Sequence, residues 1–229
     1  MQIYETSDSI NYEIVDHDQI SEKKLQEMYY TNQNGKYIRQ YKKKGLMFPH
    51  HINQLEKNYN SYLNHELNPE FRSFESFHQA LMWIASGFQK YNINWWLAGS
   101  AALYLRGLNI LPHDIDIMTF KSEIAGIKAL CEPYIIEPFH HITGWVVKGF
   151  GVIEYQYRID VAFEPEDWVD GQGPVDFGPY AQNHLETVEW QGYEIRIPPI
   201  QLHLASNQVR GRNDSVAKIQ QYIRQHSNH

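Results

Sequence analysis

The chain has 229 residues, 42% of them hydrophobic, enough to bury one sizeable core with an elaboration or small partner unit. Its formal net charge of -7 argues against general nucleic-acid binding, which needs a net basic face. One cysteine, Cys131, allows no internal disulfide and fits a packed thiol in a reducing cytoplasm. No run approaches the roughly 20 apolar residues of a membrane helix, and no signal-peptide pattern opens the chain, so a soluble cytoplasmic protein is expected.

Residues 1–70 are polar and rich in Tyr, Asn, Lys and His. Ser21 caps an expected helix over 21–30, Asn34-Gly35 marks a turn, and a second helix is expected over 55–67 before Asn68-Pro69 breaks it. Lys42-Lys43-Lys44 reads either as a solvated surface or as a contact for phosphate or RNA. From Phe74 the pattern strengthens: Phe74, Phe77, Leu81, Ile84 and Phe88 recur at helical spacing behind a Ser73 cap. A short apolar strand over 93–98 follows, then Gly99-Ser100, a helix over 101–106, a strand over 114–118 and a helix over 122–130 capped by Ser122. Strands are expected over 144–148 and 152–163, turning at Gly149-Phe150-Gly151, then a hairpin over 188–197 around Gln191-Gly192. Helices over 200–209 and 214–224 close the chain. This order argues for a mixed sheet covered by helices.

Chemistry concentrates at Asp114-Ile115-Asp116-Ile117. Side chains alternate across a strand, so Asp114 and Asp116 share one face and the isoleucines enter the core. Two carboxylates so placed repel unless a cation lies between them, and Mg²⁺ favours carboxylate and phosphate oxygens. The same alternation puts Glu154, Gln156, Arg158 and Asp160 on one face of the later strand, so Asp160 joins the pair if the strands are neighbours. Gly99-Ser100, between strand and helix, suits phosphate: helix N-termini expose unpaired N–H groups, and glycine permits close backbone approach.

The stretch Trp95-Trp96-Leu97-Ala98-Gly99-Ser100, then residues 101–107, then Pro112-His113-Asp114-Ile115-Asp116-Ile117, resembles the signature of DNA polymerase beta-like nucleotidyltransferases. Within them it is most similar to the small bacterial aminoglycoside and lincosamide nucleotidyltransferases and to toxin-type nucleotidyltransferases of abortive-infection systems. The resemblance implies an α+β nucleotidyltransferase fold over 71–229, a mixed sheet flanked by helices, behind a largely helical N-terminal extension over 1–70. It implies that Asp114 and Asp116 hold two Mg²⁺ ions, that Asp160 binds one of them and takes the acceptor proton, and that Gly99, Ser100 and Arg212 contact the nucleotide. The implied reaction transfers AMP from ATP, or another NTP, to a hydroxyl of a small acceptor and releases pyrophosphate. The alternatives are a toxin-type enzyme acting on tRNA or protein, with RNA or an antitoxin as partner, and a degenerate nucleotide-binding module. Gly211-Arg212-Asn213-Asp214 matches the family's C-terminal pattern in part, and Asn207 stands where a Lys is expected.

Other residues have plainer readings. His50-His51 and His140-His141 lack zinc spacing. His113 reads as a loop neighbour of the carboxylates, Arg158 as a counter-charge, and Arg210 as a helix-end cation or a phosphate contact. Trp95 and Trp96 read as core, with base stacking as the alternative. Asp167, Trp168 and Asp170, before a Gly-rich turn, are candidates for lining an acceptor pocket.

Overall fold

The computed structural model describes residues 1–15, 20–167, 173 and 175–226. Its N-terminal part is a four-stranded antiparallel sheet made by β1 (Gln2–Glu5), β2 (Ser9–Ile14), β3 (Thr31–Gln33) and β4 (Lys36–Lys42), in the order β1-β2-β4-β3. Helix α1 (Glu22–Glu27) lies within it, with the Ser21 side chain accepting from Lys24 N as its cap, and helix α2 (Ile52–Leu67) follows. Residues 1–70 are therefore not largely helical: both expected helices form, and a sheet accompanies them. The sheet evades periodicity because β2 is buried along its whole length and much of its apolar payload is tyrosine. Tyr12, Tyr30, Tyr37, Tyr41, Tyr59 and Tyr62 are all buried, rings inward.

Helix α3 (Phe74–Lys90) follows, with the reciprocal Ser73–Ser76 capping box at its start and Phe77, Leu81, Ile84 and Phe88 buried. Then come β5 (Trp95–Ala98), α4 (Gly99–Leu105), β6 (Ile115–Thr119), α5 (Ile124–Cys131), β7 (Ile135–His141), β8 (Val147–Tyr155) and β9 (Tyr157–Pro165). A 3-10 turn over Lys121–Glu123 precedes α5, and Ser122 does not cap it. The chain closes with α6 (Pro179–Gln182), the hairpin β10 (Glu186–Trp190) and β11 (Tyr193–Ile197), then α7 (Ile200–Val209) and α8 (Asn213–His226). No helix among the described residues is long and apolar enough to cross a membrane.

The main sheet runs β5-β6-β9-β8-β7, with β6 and β9 parallel and the other pairs antiparallel. The strand expected over 152–163 is in fact the end of β8 and most of β9, folded about Gln156 at φ 59°. Gly149 to Gly151, expected as the turn, lie inside β8. One face of the sheet packs Ile115, Ile117, Ile159 and Val161 into a core shared with Ile3, Tyr12 and Tyr59 of the N-terminal part.

The two sheets are tied by charge as well as by apolar contact. Arg39 of β4 makes a bidentate pair with Glu137 of β7, Nη1 to Oε1 at 2.7 Å and Nη2 to Oε2 at 2.6 Å, and Tyr41 donates its hydroxyl to the same carboxylate at 3.0 Å. The Glu137 side chain is only 2% exposed, so its charge depends on this fork. Arg39→Ala should therefore destabilise the protein by about 3–5 kcal/mol in urea unfolding, while Arg39→Met with Glu137→Leu should recover most of that loss.

Candidate active site

Asp114 immediately precedes β6 and Asp116 lies within it. The parallel register places Asp116 directly opposite Asp160 of β9, and the antiparallel register with β5 places it opposite Ala98, next to Gly99. The neighbour relation expected between the two Asp strands is therefore present. Ligand atoms of Asp114, Asp116 and Asp160 lie within 4.8 Å of one another, the one such grouping of His, Cys, Asp and Glu among the described residues. Tyr157 donates its hydroxyl to the Pro112 carbonyl and so braces the segment leading into Asp114.

Gly99 opens α4 in the left-handed region, φ 61°, and a Cβ there would land on Asp116 Oδ2. No other residue type fits both constraints. This lets the backbone at Gly99-Ser100 press against the carboxylate cluster.

The three acids are not equivalent. Burial drives the Asp116 carboxyl well above its usual range, and the nearby Asp114, Asp160 and Asp176 carboxylates push the same way. Burial also raises Asp160, to about 6, against the Arg158 guanidinium, whose Nε–H donates to Oδ1 at 2.7 Å and Nη2–H to Oδ2 at 3.1 Å. Burial opposes ionisation of Asp114 as well, but His113 at 3.5 Å and Arg158 outweigh it and hold the carboxyl low. Asp116 has no comparable cation of its own. Oxygen-rich, negatively charged and short of a counter-charge, this set fits a hard divalent ion.

The acids sit in a cleft of about 1070 Å³. At the α4 side it is lined by Ser100 and by Arg210, Arg212, Ser215 and Lys218 of the C-terminal segment. A hydrogen bond of 2.7 Å from Tyr222 to the Arg106 carbonyl docks α8 there. Arg210 lies over the Phe177 ring at 5.4 Å. Asn207 lines the same wall, its amide donating to the His203 carbonyl at 2.8 Å. At the β7 side the cleft is lined by Glu137, His140, Phe150 and Trp145, and by Tyr29 and Tyr62 of the N-terminal part. Tyr29 is 73% and Trp145 50% exposed.

Several residues sit elsewhere or do something simpler. Trp95 and Trp96 are core. Asp167 accepts from Tyr180 N at the start of α6, so it braces a turn, while Trp168 and Asp170 lie outside the described residues. His140 Nδ1 pairs with the Pro138 carbonyl, and burial pushes His50 down to about 4. Lys42 and Lys43 are in ion pairs with Asp8 and Glu5. Asp176 was not singled out by sequence pattern. It is buried beside α7, where His203 Nδ1 lies 2.9 Å from Oδ2, and its lone position in a Gly-Pro-rich stretch offers no periodic signal. Tyr29, Tyr62 and Trp145 were equally unsignalled, because they reach the cleft only through tertiary packing.

The model of the aminoglycoside-2″-adenylyltransferase family matches residues 80–146, a stretch that carries Gly99, Asp114 and Asp116 and stops short of Asp160. No curated protein matches the sequence. Among solved structures, a Thermotoga maritima protein assigned as a nucleotidyltransferase superposes with TM-score 0.51 at 17% identity, covering 66% of this chain and 95% of its own. ANT(2″)-Ia, solved with adenylyl-2″-tobramycin, gives TM-score 0.43 at 13% identity, covering 66% and 90%. The chain has the nucleotidyltransferase fold, with similarity to aminoglycoside nucleotidyltransferases.

Two outcomes test the electrostatics. Because the folded-state pKa of Asp116 and Asp160 is raised, their contribution to stability is full at low pH and is lost as pH rises, through about 6 for Asp160. Metal-free protein should therefore melt lower at pH 8 than at pH 5.5, and Asp116→Asn should raise the pH 8 melting temperature by about 2–4 °C, equivalent to ~1 kcal/mol. Gly99→Ala should cost about 1–3 kcal/mol and weaken Mn²⁺ binding, read by denaturant titration and electron paramagnetic resonance.

Proposed function

We propose that this chain is a Mg²⁺-dependent nucleotidyltransferase that moves a nucleoside monophosphate, AMP from ATP, onto a hydroxyl of a small-molecule acceptor. The observation that carries this reading is the trio Asp114, Asp116 and Asp160, whose ligand atoms fall within 4.8 Å of one another in a cleft whose far wall is cationic. The family match over residues 80–146 and the nucleotidyltransferase fold support the same reaction class.

In this reading the triphosphate lies along Ser100, Arg210, Arg212 and Lys218, with its α-phosphate over the aspartates. Asp114 and Asp116 would hold two Mg²⁺ ions and Asp160 would share one. Such ions stabilise the attacking and leaving oxygens of an in-line displacement. The acceptor occupies the β7 side of the cleft, where Tyr29 and Trp145 offer exposed rings. Its hydroxyl oxygen forms a bond to the α-phosphorus as the bond to the β-phosphate bridging oxygen breaks. Pyrophosphate leaves, and the hydroxyl proton passes to Asp160, which burial makes a better base than an ordinary aspartate. A cleft of about 1070 Å³ has room for a nucleotide and one small acceptor, since drug-sized sites are roughly 300–1000 Å³.

Incubating the protein with labelled ATP, Mg²⁺ and a panel of hydroxyl acceptors that includes aminoglycosides should yield pyrophosphate and an adenylylated acceptor. Asp114→Asn and Asp116→Asn should each lower that rate at least ~10³-fold without unfolding the protein. Wild-type rates in either variant would remove the site assignment.

A further inference from the structure

The cation that touches the carboxylate trio through two hydrogen bonds is Arg158, and how it is held gives it a job. Arg158 and Asp160 stand two residues apart on the same face of β9. Nε and Nη2 meet the two Asp160 oxygens at 2.7 and 3.1 Å, the parallel fork that fixes the plane of a carboxylate. Each oxygen keeps a second lone pair for another partner. The third guanidinium nitrogen donates to the Tyr62 hydroxyl at 2.9 Å, and Tyr62 is buried on α2. The cross-strand neighbour that competes for Arg158 is Glu154, its register partner on β8. Glu154 is instead engaged by His65 Nδ1 at 2.5 Å, one helical turn along from Tyr62 on α2. One face of α2 thus occupies the competitor and steadies Arg158, leaving its fork for Asp160.

We propose that Arg158 is a positioning residue: held by Tyr62, it orients the Asp160 carboxylate toward Asp116 and lowers the attraction of the trio for divalent cations. This rests on the nucleotidyltransferase reading above. Geometry and charge are separable consequences. Loss of the fork frees Asp160 to rotate, which slows the reaction. Loss of the positive charge beside the trio strengthens its pull on a cation.

The test uses full-length protein and Mn²⁺ alone as the probe, with affinity read by electron paramagnetic resonance. Turnover is followed as pyrophosphate release with the acceptor found in the panel. Arg158→Gln, which loses both fork and charge, should bind Mn²⁺ about 3–10-fold more tightly while turning over at least ~10-fold more slowly. Arg158→Lys, which keeps the charge, should hold Mn²⁺ affinity within about twofold yet also lose turnover. Tyr62→Phe, which keeps the ring, should lose about threefold in turnover at unchanged Mn²⁺ affinity and guards against a misfolded Arg158 variant. A merely structural Arg158 would instead lower Mn²⁺ affinity and turnover together. That result, unchanged Mn²⁺ affinity in Arg158→Gln, or wild-type turnover in Arg158→Lys would overturn the proposal. Wild-type protein that binds no Mn²⁺ would remove the nucleotidyltransferase reading as well.

Discussion

Repulsion among three carboxylates on one sheet face is the constraint around which this molecule is arranged. Two unit charges about 4 Å apart repel by about 4 kcal/mol at the effective dielectric of a protein surface, more than a single hydrogen bond contributes. No flexible loop would hold such a cluster together. Here the hydrogen-bonded ladder does it. The parallel pairing of β6 with β9 puts Asp116 opposite Asp160, and the antiparallel pairing with β5 brings the left-handed Gly99 up against Asp116. The stiffness of the sheet is thus spent on an arrangement that a bound cation would relieve, and Asp116, raised hardest, carries most of the frustration.

The protein treats the buried Glu137 in the opposite way. Glu137 sits one strand beyond β8 on the sheet edge and is neutralised permanently by Arg39, with Tyr41 adding a third bond. Both donors come from the N-terminal sheet. Helix α2 extends the same link: Asn58 caps the Pro133 and Ile135 carbonyls, Tyr59 packs in the shared core, and Tyr62 and His65 reach the β8–β9 hairpin. Residues 1–70 therefore do more than precede the sheet. They supply counter-charge and support to its β7 side, while the C-terminal helices supply cations to the α4 side.

Legibility followed the physics of each signal. Asp114, Asp116 and Gly99-Ser100 are local in sequence, so strand alternation and turn chemistry were sufficient to place them on one face. Asp160 was placed on the correct face from a strand that does not exist as one piece. The hairpin about Gln156 pairs Tyr155 with Tyr157 and Val152 with Asp160, so partners share parity and the alternation survives the turn. The hairpin was hidden because Gln156 adopts φ 59° without the glycine or asparagine that usually announces such a turn. The N-terminal sheet was hidden for another reason: tyrosine reads as half-polar in a sequence, yet Tyr12 and Tyr59 are fully buried. Asp176 and the cleft-lining Tyr62 could not be assigned from neighbours in sequence at all, because their partners lie on α7 and β9.

Charge placement across the cleft also gives a substrate a direction. Arg210, Arg212 and Lys218 line one end and form none of the described residues' ion pairs; Arg210 also lies within electrostatic reach of the buried Asp176 carboxylate, while Arg212 and Lys218 offer their charge to an anion. At the other end the cations are already committed: Lys24 to Glu66, Arg39 to Glu137, Arg158 to Asp160. Lys42 and Lys43, the basic run in the sequence, are likewise paired with Asp8 and Glu5. In the proposed reading a polyanionic tail finds unpaired positive charge at that end, and a ligand that enters tail-first would bring its innermost phosphorus toward Asp114, Asp116 and Asp160. What remains at the β7 end is aromatic surface, Tyr29 and Trp145, with its charges internally balanced. Such a surface binds through shape and stacking more than through net charge. In the proposed reading, nucleotide orientation is set by electrostatics, whereas acceptor choice rests on the contour of a wall shared by residues 1–70 and the β7–β8 segment.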